Sequence, residues 1–186
     1  MKSGYTTAID NAAAILNTLD PAAVCARTGA SHDGEFMIPW FGAPVTLSSG
    51  NDAEQIIWLH YLISEGTRPP TGRYVAYREL NGSGFYEAAF NKRAVNPLIK
   101  RFGADPERLV AAGVSCGGSA TNMGDAAVTL APLPHLPVTY VIWRGDDEIG
   151  PGGTVLFDQT ASGWLAAEDL AVLASLGVYR MIKNSK

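Results

Sequence analysis

Between Thr6 and Leu19, Ala, Ile and Leu recur at helical spacing, and Asp20-Pro21 then reads as an N-cap followed by proline at the first position of a second helix. Two extended segments, 35–40 and 44–47, flank Phe41-Gly-Ala43 and predict a hairpin, with Pro39 placed on an edge because it lacks a ladder donor. Asn51 or Asp52 caps a helix bearing Ile56, Ile57, Leu59, Leu62 and Ile63, and Gly66 stands where a C′ glycine ends one. After the break at 68–72, the pattern predicts a strand over 73–80. The turn Asn81-Gly-Ser-Gly84 then leads into a helix from about Phe85, and Asp105-Pro106 starts another.

The strongest β signal comes next. Asp125–Ala131 and Pro137–Trp143 read as two strands joined by the proline-punctuated stretch 132–137, and Val155–Phe157 as a third. So few polar residues lie between Val138 and Trp143 that only a central strand covered on both faces explains them. A helix over 166–176 closes the chain, with Glu168 and Asp169 in its first turn, where carboxylates favour the helix dipole. Helices and strands do not alternate regularly, so the pattern predicts an α+β fold, a mainly antiparallel sheet packed against several helices. A chain of 186 residues without repeat, linker or low-complexity tract is expected to form one globular domain, 1–186.

Charge and composition narrow the function classes. A net charge of -4 with no basic cluster in the sequence argues against nucleic acid as a partner. The N-terminal residues form no apolar leader and no apolar run is of bilayer length, so no membrane association and a cytoplasmic location are expected. Cys25 and Cys116 are the only cysteines, too few for a self-contained iron–sulfur cluster or an all-cysteine zinc site, and are expected to be reduced structural thiols.

Four features invite chemistry. Gly113-Val-Ser-Cys-Gly117 matches a nucleophile elbow, but a helical pattern precedes it and a flexible loop follows, so a glycine-terminated helix is the expected reading. Gly82-Ser-Gly84 lies between strand and helix as a phosphate loop would, yet Glu87 stands where the third glycine belongs, and a plain turn is expected. The strand ending at Trp143 runs into Asp146-Asp147-Glu148, which with Asp158 offers hard oxygen ligands to magnesium or calcium near Arg73 and Arg78, although EF-hand spacing is absent. His60, four after Ile56 and three before Ile63, falls on the stripe facing the core. There an imidazole is either a core residue with both nitrogens satisfied or a ligand facing a pocket.

The blocks 59–62, 71–80, 85–90, 133–148, 155–158 and 167–170, in that order, resemble the family catalogued as domain of unknown function 3786 over nearly the whole chain. The resemblance implies no established activity. It implies an origin in anaerobic bacteria or archaea and the company of iron–sulfur domains similar to those of corrinoid proteins, although no such domain is expected within these 186 residues. Together with His60, it leads to the first expected function: a non-catalytic binding or accessory protein for cobalamin, another corrinoid or a related tetrapyrrole. His60, Tyr77, Arg78 and Trp143 are its expected contacts, and a corrinoid or iron–sulfur protein its expected macromolecular partner. The alternatives are an enzyme using a divalent cation on Asp146, Asp147 and Glu148, and a structural interaction module without ligand.

Overall fold

The computed structural model describes residues 4–185. Helix α1 (Gly4–Leu16) is followed by α2 (Pro21–Thr28), where the Asp20 carboxylate accepts from the Ala22 and Ala23 amides as the sequence predicts. Strands β1 (Ser31–His32), β2 (Phe36–Trp40) and β3 (Ala43–Thr46) form a small antiparallel sheet in that order. Pro39 is therefore on the middle strand, not an edge strand. It is tolerated because β1 pairs only with Phe36 and Met37, leaving the flank beside Pro39 without a partner strand.

Helix α3 (Asp52–Ile63) opens with a capping box: Asn51 accepts from the amides of Ala53 and Glu54 while Glu54 accepts from the Asn51 amide. Ile56, Ile57, Trp58, Leu59, Tyr61 and Leu62 are all buried, so the second half of this helix is covered almost all round. Gly66 does not end it; Ser64 is the C-cap. The glycine is needed for close approach instead, since a Cβ there would lie 2.4 Å from Cδ2 of Trp164.

The larger sheet runs β4-β8-β7-β6-β5, antiparallel throughout, with β4 (Tyr74–Ala76), β5 (Ser119–Ala120), β6 (Ala126–Leu133), β7 (Leu136–Trp143) and β8 (Gly152–Asp158). The expected strand over 73–80 is thus short; Tyr77–Glu79 turn into a 3₁₀ segment because Glu79 folds back to accept from the Ala76 amide. The prolines of 132–137 lie largely within strands, around a tight turn at Pro134-His135, with a register shift between Leu130 and Leu133. Strand β7 is central and buried from Val138 to Ile142 on both faces, as its composition requires. Trp143 departs from that expectation, being 46% exposed at the open end of the sheet.

The segment after β4 winds through α4 (Glu87–Phe90), a wide π-turn at Asn91–Val95, and α5 (Asn96–Phe102). Pro97 explains the wide turn: its ring would clash with the carbonyl four residues back in a regular helix, and the π geometry makes room. Helix α6 (Glu107–Ser115) has Pro106, not Asp105, as its N-cap and makes no side-chain cap bond. Gly113 of the elbow-like motif packs on β6, where a Cβ would meet Val128 at 2.4 Å, and the Ser115 hydroxyl donates to the Ala112 carbonyl. The motif is a helix end closed against a sheet. Helix α7 (Ala167–Asn184) runs eight residues beyond its expected end at 176, with Val178 and Met181 fully buried. It lies with α5 and α6 against the larger sheet, and one apolar cluster joins both sheets and all the principal helices. Among the described residues, no helix is long and apolar enough to cross a membrane.

Candidate functional site

The last turn of α3 meets the first turn of α7. His60 Nδ1 and Asp169 Oδ2 lie 2.7 Å apart, with side-chain exposures of 35% and 14%. Each end of the pair sits where its charge is favoured, an imidazolium near a helix C-terminus and a carboxylate near a helix N-terminus. The hydrogen bond that Asp169 accepts from the ring raises the His60 pKa above its ordinary 6.5; partial burial opposes this, and the charges of Asp169 and Glu168 reinforce it. Nε2 has no hydrogen-bond partner among the described residues. His60 is therefore neither deep in the core nor doubly satisfied. Between Ile56 and Leu62 it is the one position of the helix left half open. It lies beside a groove of about 500 Å³ walled by Ile63, Trp164 and Leu165.

Trp164 is the structural centre of this end of the molecule. Its ring stacks on His135 at 4.5 Å, lies beside Tyr61, touches Gly66, and donates through Nε1 to the Arg68 carbonyl. A second groove beside it, of about 450 Å³, shares Glu65, Ser162, Gly163 and Trp164 itself with the first. Behind that groove the buried Asp158 carboxylate accepts from the amides of Thr71, Gly72 and Thr160 and from the hydroxyls of Thr71 and Thr160. Burial pushes this carboxyl up, but the bonds from Thr160, Gly72 and Thr71 outweigh it and hold the pKa below the ordinary 3.8. Asp158 is thus a latch that pins the 71–72 loop to the end of β8.

The other expected contacts do not join His60 in one cavity. Tyr77 is buried, stacks on Phe90 at 4.0 Å and donates its hydroxyl to the Ala167 carbonyl; burial pushes its pKa up to about 12. Arg78 is exposed in a separate, smaller groove with Glu87 and Asn91. Trp143 lies at the opposite end of the sheet, paired with Gly152 at the start of β8.

Asp146, Asp147 and Glu148 lie beyond Trp143 at the solvent-facing end of the sheet. The Asp146 carboxylate accepts from the amides of Glu148 and Ile149, which lower its pKa, so it closes its own loop. Asp158 cannot join it around a cation, because the length of β8 separates them, about 20 Å at strand rise. Among the described residues, no three His, Cys, Asp or Glu side chains are grouped to hold a bare metal ion. Cys25 and Cys116 are both free.

Two functional candidates escaped the sequence. Asp169 is 109 residues from His60, and only its place in a helix first turn was legible. The Tyr86 phenol lies near Glu168, whose charge raises its pKa, and no local spacing announces that pair.

Among curated proteins and among solved structures nothing matches this chain. The model of the family described as Domain of unknown function (DUF3786) matches residues 20–180 of the 186, and the chain belongs to that family.

Proposed function

We propose that the protein is a non-catalytic binding or accessory protein for a corrinoid or related tetrapyrrole, whose metal His60 would hold through Nε2. The observation that carries this reading is the His60–Asp169 pair: a carboxylate holds Nδ1, while Nε2 is left without a protein partner among the described residues, beside a groove. Metal-ligating histidines are commonly held in this way, which fixes the ring and raises its basicity. A single histidine is a poor site for a bare divalent cation, which needs several ligands, but it would suffice for a metal whose other ligands a macrocycle supplies. Ile63 and Leu165 offer apolar contact to one part of such a ring, and the openness of the groove suits a protein that presents a cofactor rather than enclosing it.

The test is an anaerobic titration of the protein with aquocobalamin followed by visible spectroscopy. Ligation should shift the spectrum in wild type, and the shift should vanish in His60→Ala and weaken in Asp169→Asn. Because a proton competes for Nε2 and the His60 pKa is raised, affinity should fall as pH drops through that raised value. No shift in wild type at any pH between about 6 and 9 overturns the reading.

A further inference from the structure

We propose that the channel between α5 and the C-terminal half of α7 docks an acidic, amphipathic segment of another protein. The channel has a volume of about 610 Å³; Lys92, Lys100 and Arg101 stand on one side, and Tyr179 and Ile182 on the other. Charge is sharply segregated here. Residues 88–102 hold Lys92, Arg93, Lys100 and Arg101 and no carboxylate, and α7 beyond Asp169 holds Arg180 and Lys183 and none, in a chain whose net charge is -4.

These cations are not consumed internally to the same degree. Lys92 and Lys100 make no ion pair among the described residues, and the carboxylates of the following segment, Asp105 and Glu107, are engaged by Arg108 and Arg144. Arg101 donates to the Ser185 carbonyl, which fixes the α5 side of the channel against the end of α7. Tyr179 is 55% exposed although Val178 and Met181 beside it are fully buried. An exposed phenol flanked by lysines and arginine is the composition of an interface anchor, with an apolar body for burial and a hydroxyl that can still find a partner. The apolar side calls for Leu-like side chains and the cationic side for carboxylates, so the occupant that satisfies both is an acidic amphipathic helix. The negative charge of the remainder of the chain opposes a polyphosphate backbone and favours a protein segment whose charge is interrupted by apolar residues.

The probe is a fluorescein-labelled helical peptide built from Glu, Leu and Ala, read by fluorescence anisotropy against the full-length protein. Saturable binding is expected in the micromolar range, weakening with salt as rim charges are screened. The double variant Lys92→Glu/Lys100→Glu should weaken it by about tenfold or more, which corresponds to about 1.4 kcal/mol. Tyr179→Ser should weaken it with less change in salt dependence, and His60→Ala should leave it unchanged, which separates this surface from the cofactor groove. Lys92, Lys100 and Tyr179 are all exposed, and unchanged circular dichroism and melting would show that the variants fold. Absence of saturable binding, or binding indifferent to these substitutions, overturns the proposal. So does tighter binding of a single-stranded oligonucleotide or of anionic phosphatidylserine vesicles that the same double variant abolishes, which would assign the face to phosphate.

Discussion

The two ends of the larger sheet carry carboxylates in opposite circumstances. At one end Asp158 is 3% exposed and surrounded by donors from Thr71, Gly72 and Thr160; at the other Asp146 lies in an exposed loop and is bonded only within it. The run Asp146-Asp147-Glu148 is the more conspicuous in sequence because three adjacent carboxylates are unusual. Its density is the reason it remains in water, since such a cluster cannot be desolvated without cations or many donors. The single Asp158 can be buried because several donors converge on it. Around that latched end the protein builds the two grooves that flank Trp164 and places the His60–Asp169 pair, so the quieter carboxylate lies beside the candidate site and the louder one does not.

Removing the latch should have the largest effect. Asp158→Ala strands several buried donors and is expected to cost about 3–5 kcal/mol, measured by urea denaturation. The lowered pKa of Asp158 adds a sign: its stabilisation is present above the ordinary value of 3.8 and is lost as pH falls through the lower folded value. Acid unfolding of the wild type should therefore be steeper below about pH 4 than that of Asp158→Asn. Equal stability of Asp158→Ala and wild type would abolish the contrast between the two ends.

Next in size is Gly66→Ala. The new methyl group would press on Trp164, and overpacking of this kind costs about 1–3 kcal/mol. A shift in tryptophan emission should accompany the lower melting temperature, because the His135–Trp164 stack must move to make room. Asp146→Ala at the open end should cost no more than about 1 kcal/mol, the scale of a lost turn cap. Millimolar magnesium or calcium should leave the melting temperature of the wild type unchanged; a concentration-dependent rise lost in Asp146→Ala would make the open end a cation site after all.

The smallest effect belongs to His60–Asp169, a partly exposed pair. A raised histidine pKa contributes stability that is fully present below 6.5 and disappears as pH rises through the folded value. Wild type should thus lose a small increment of stability between about pH 6 and 8 that His60→Gln does not lose, a trend opposite to that of Asp158. Direct titration of the His60 ring by NMR checks it; a pKa at or below 6.5 would mean that Asp169 does not hold the ring as described.

Local chemistry made much of the fold legible. Caps at Asp20 and Asn51, the buried run of α3 and the two-sided burial of β7 follow from residue type and spacing, because each involves neighbours within one or two turns or a strand's own alternation. Where the sequence misled, a distant neighbour intervened. Gly66 looked like a helix stop until Trp164, far along the chain, required its missing side chain. His60 looked like a core residue by periodicity, and the position of α7 left it half open.

By itself, then, the sequence determined the α+β class, the principal elements and the solvated state of the acidic turn, all consequences of short-range sterics, hydrophobic periodicity and the cost of burying charge. Only the tertiary structure decided which carboxylate became a buried latch, that Asp169 would reach His60 across 109 residues, and that scattered lysines and arginines of α5 and its flanking turn would share one channel with Tyr179 of α7. Those outcomes depend on how elements distant in the chain pack together, and no periodicity within a single element encodes them.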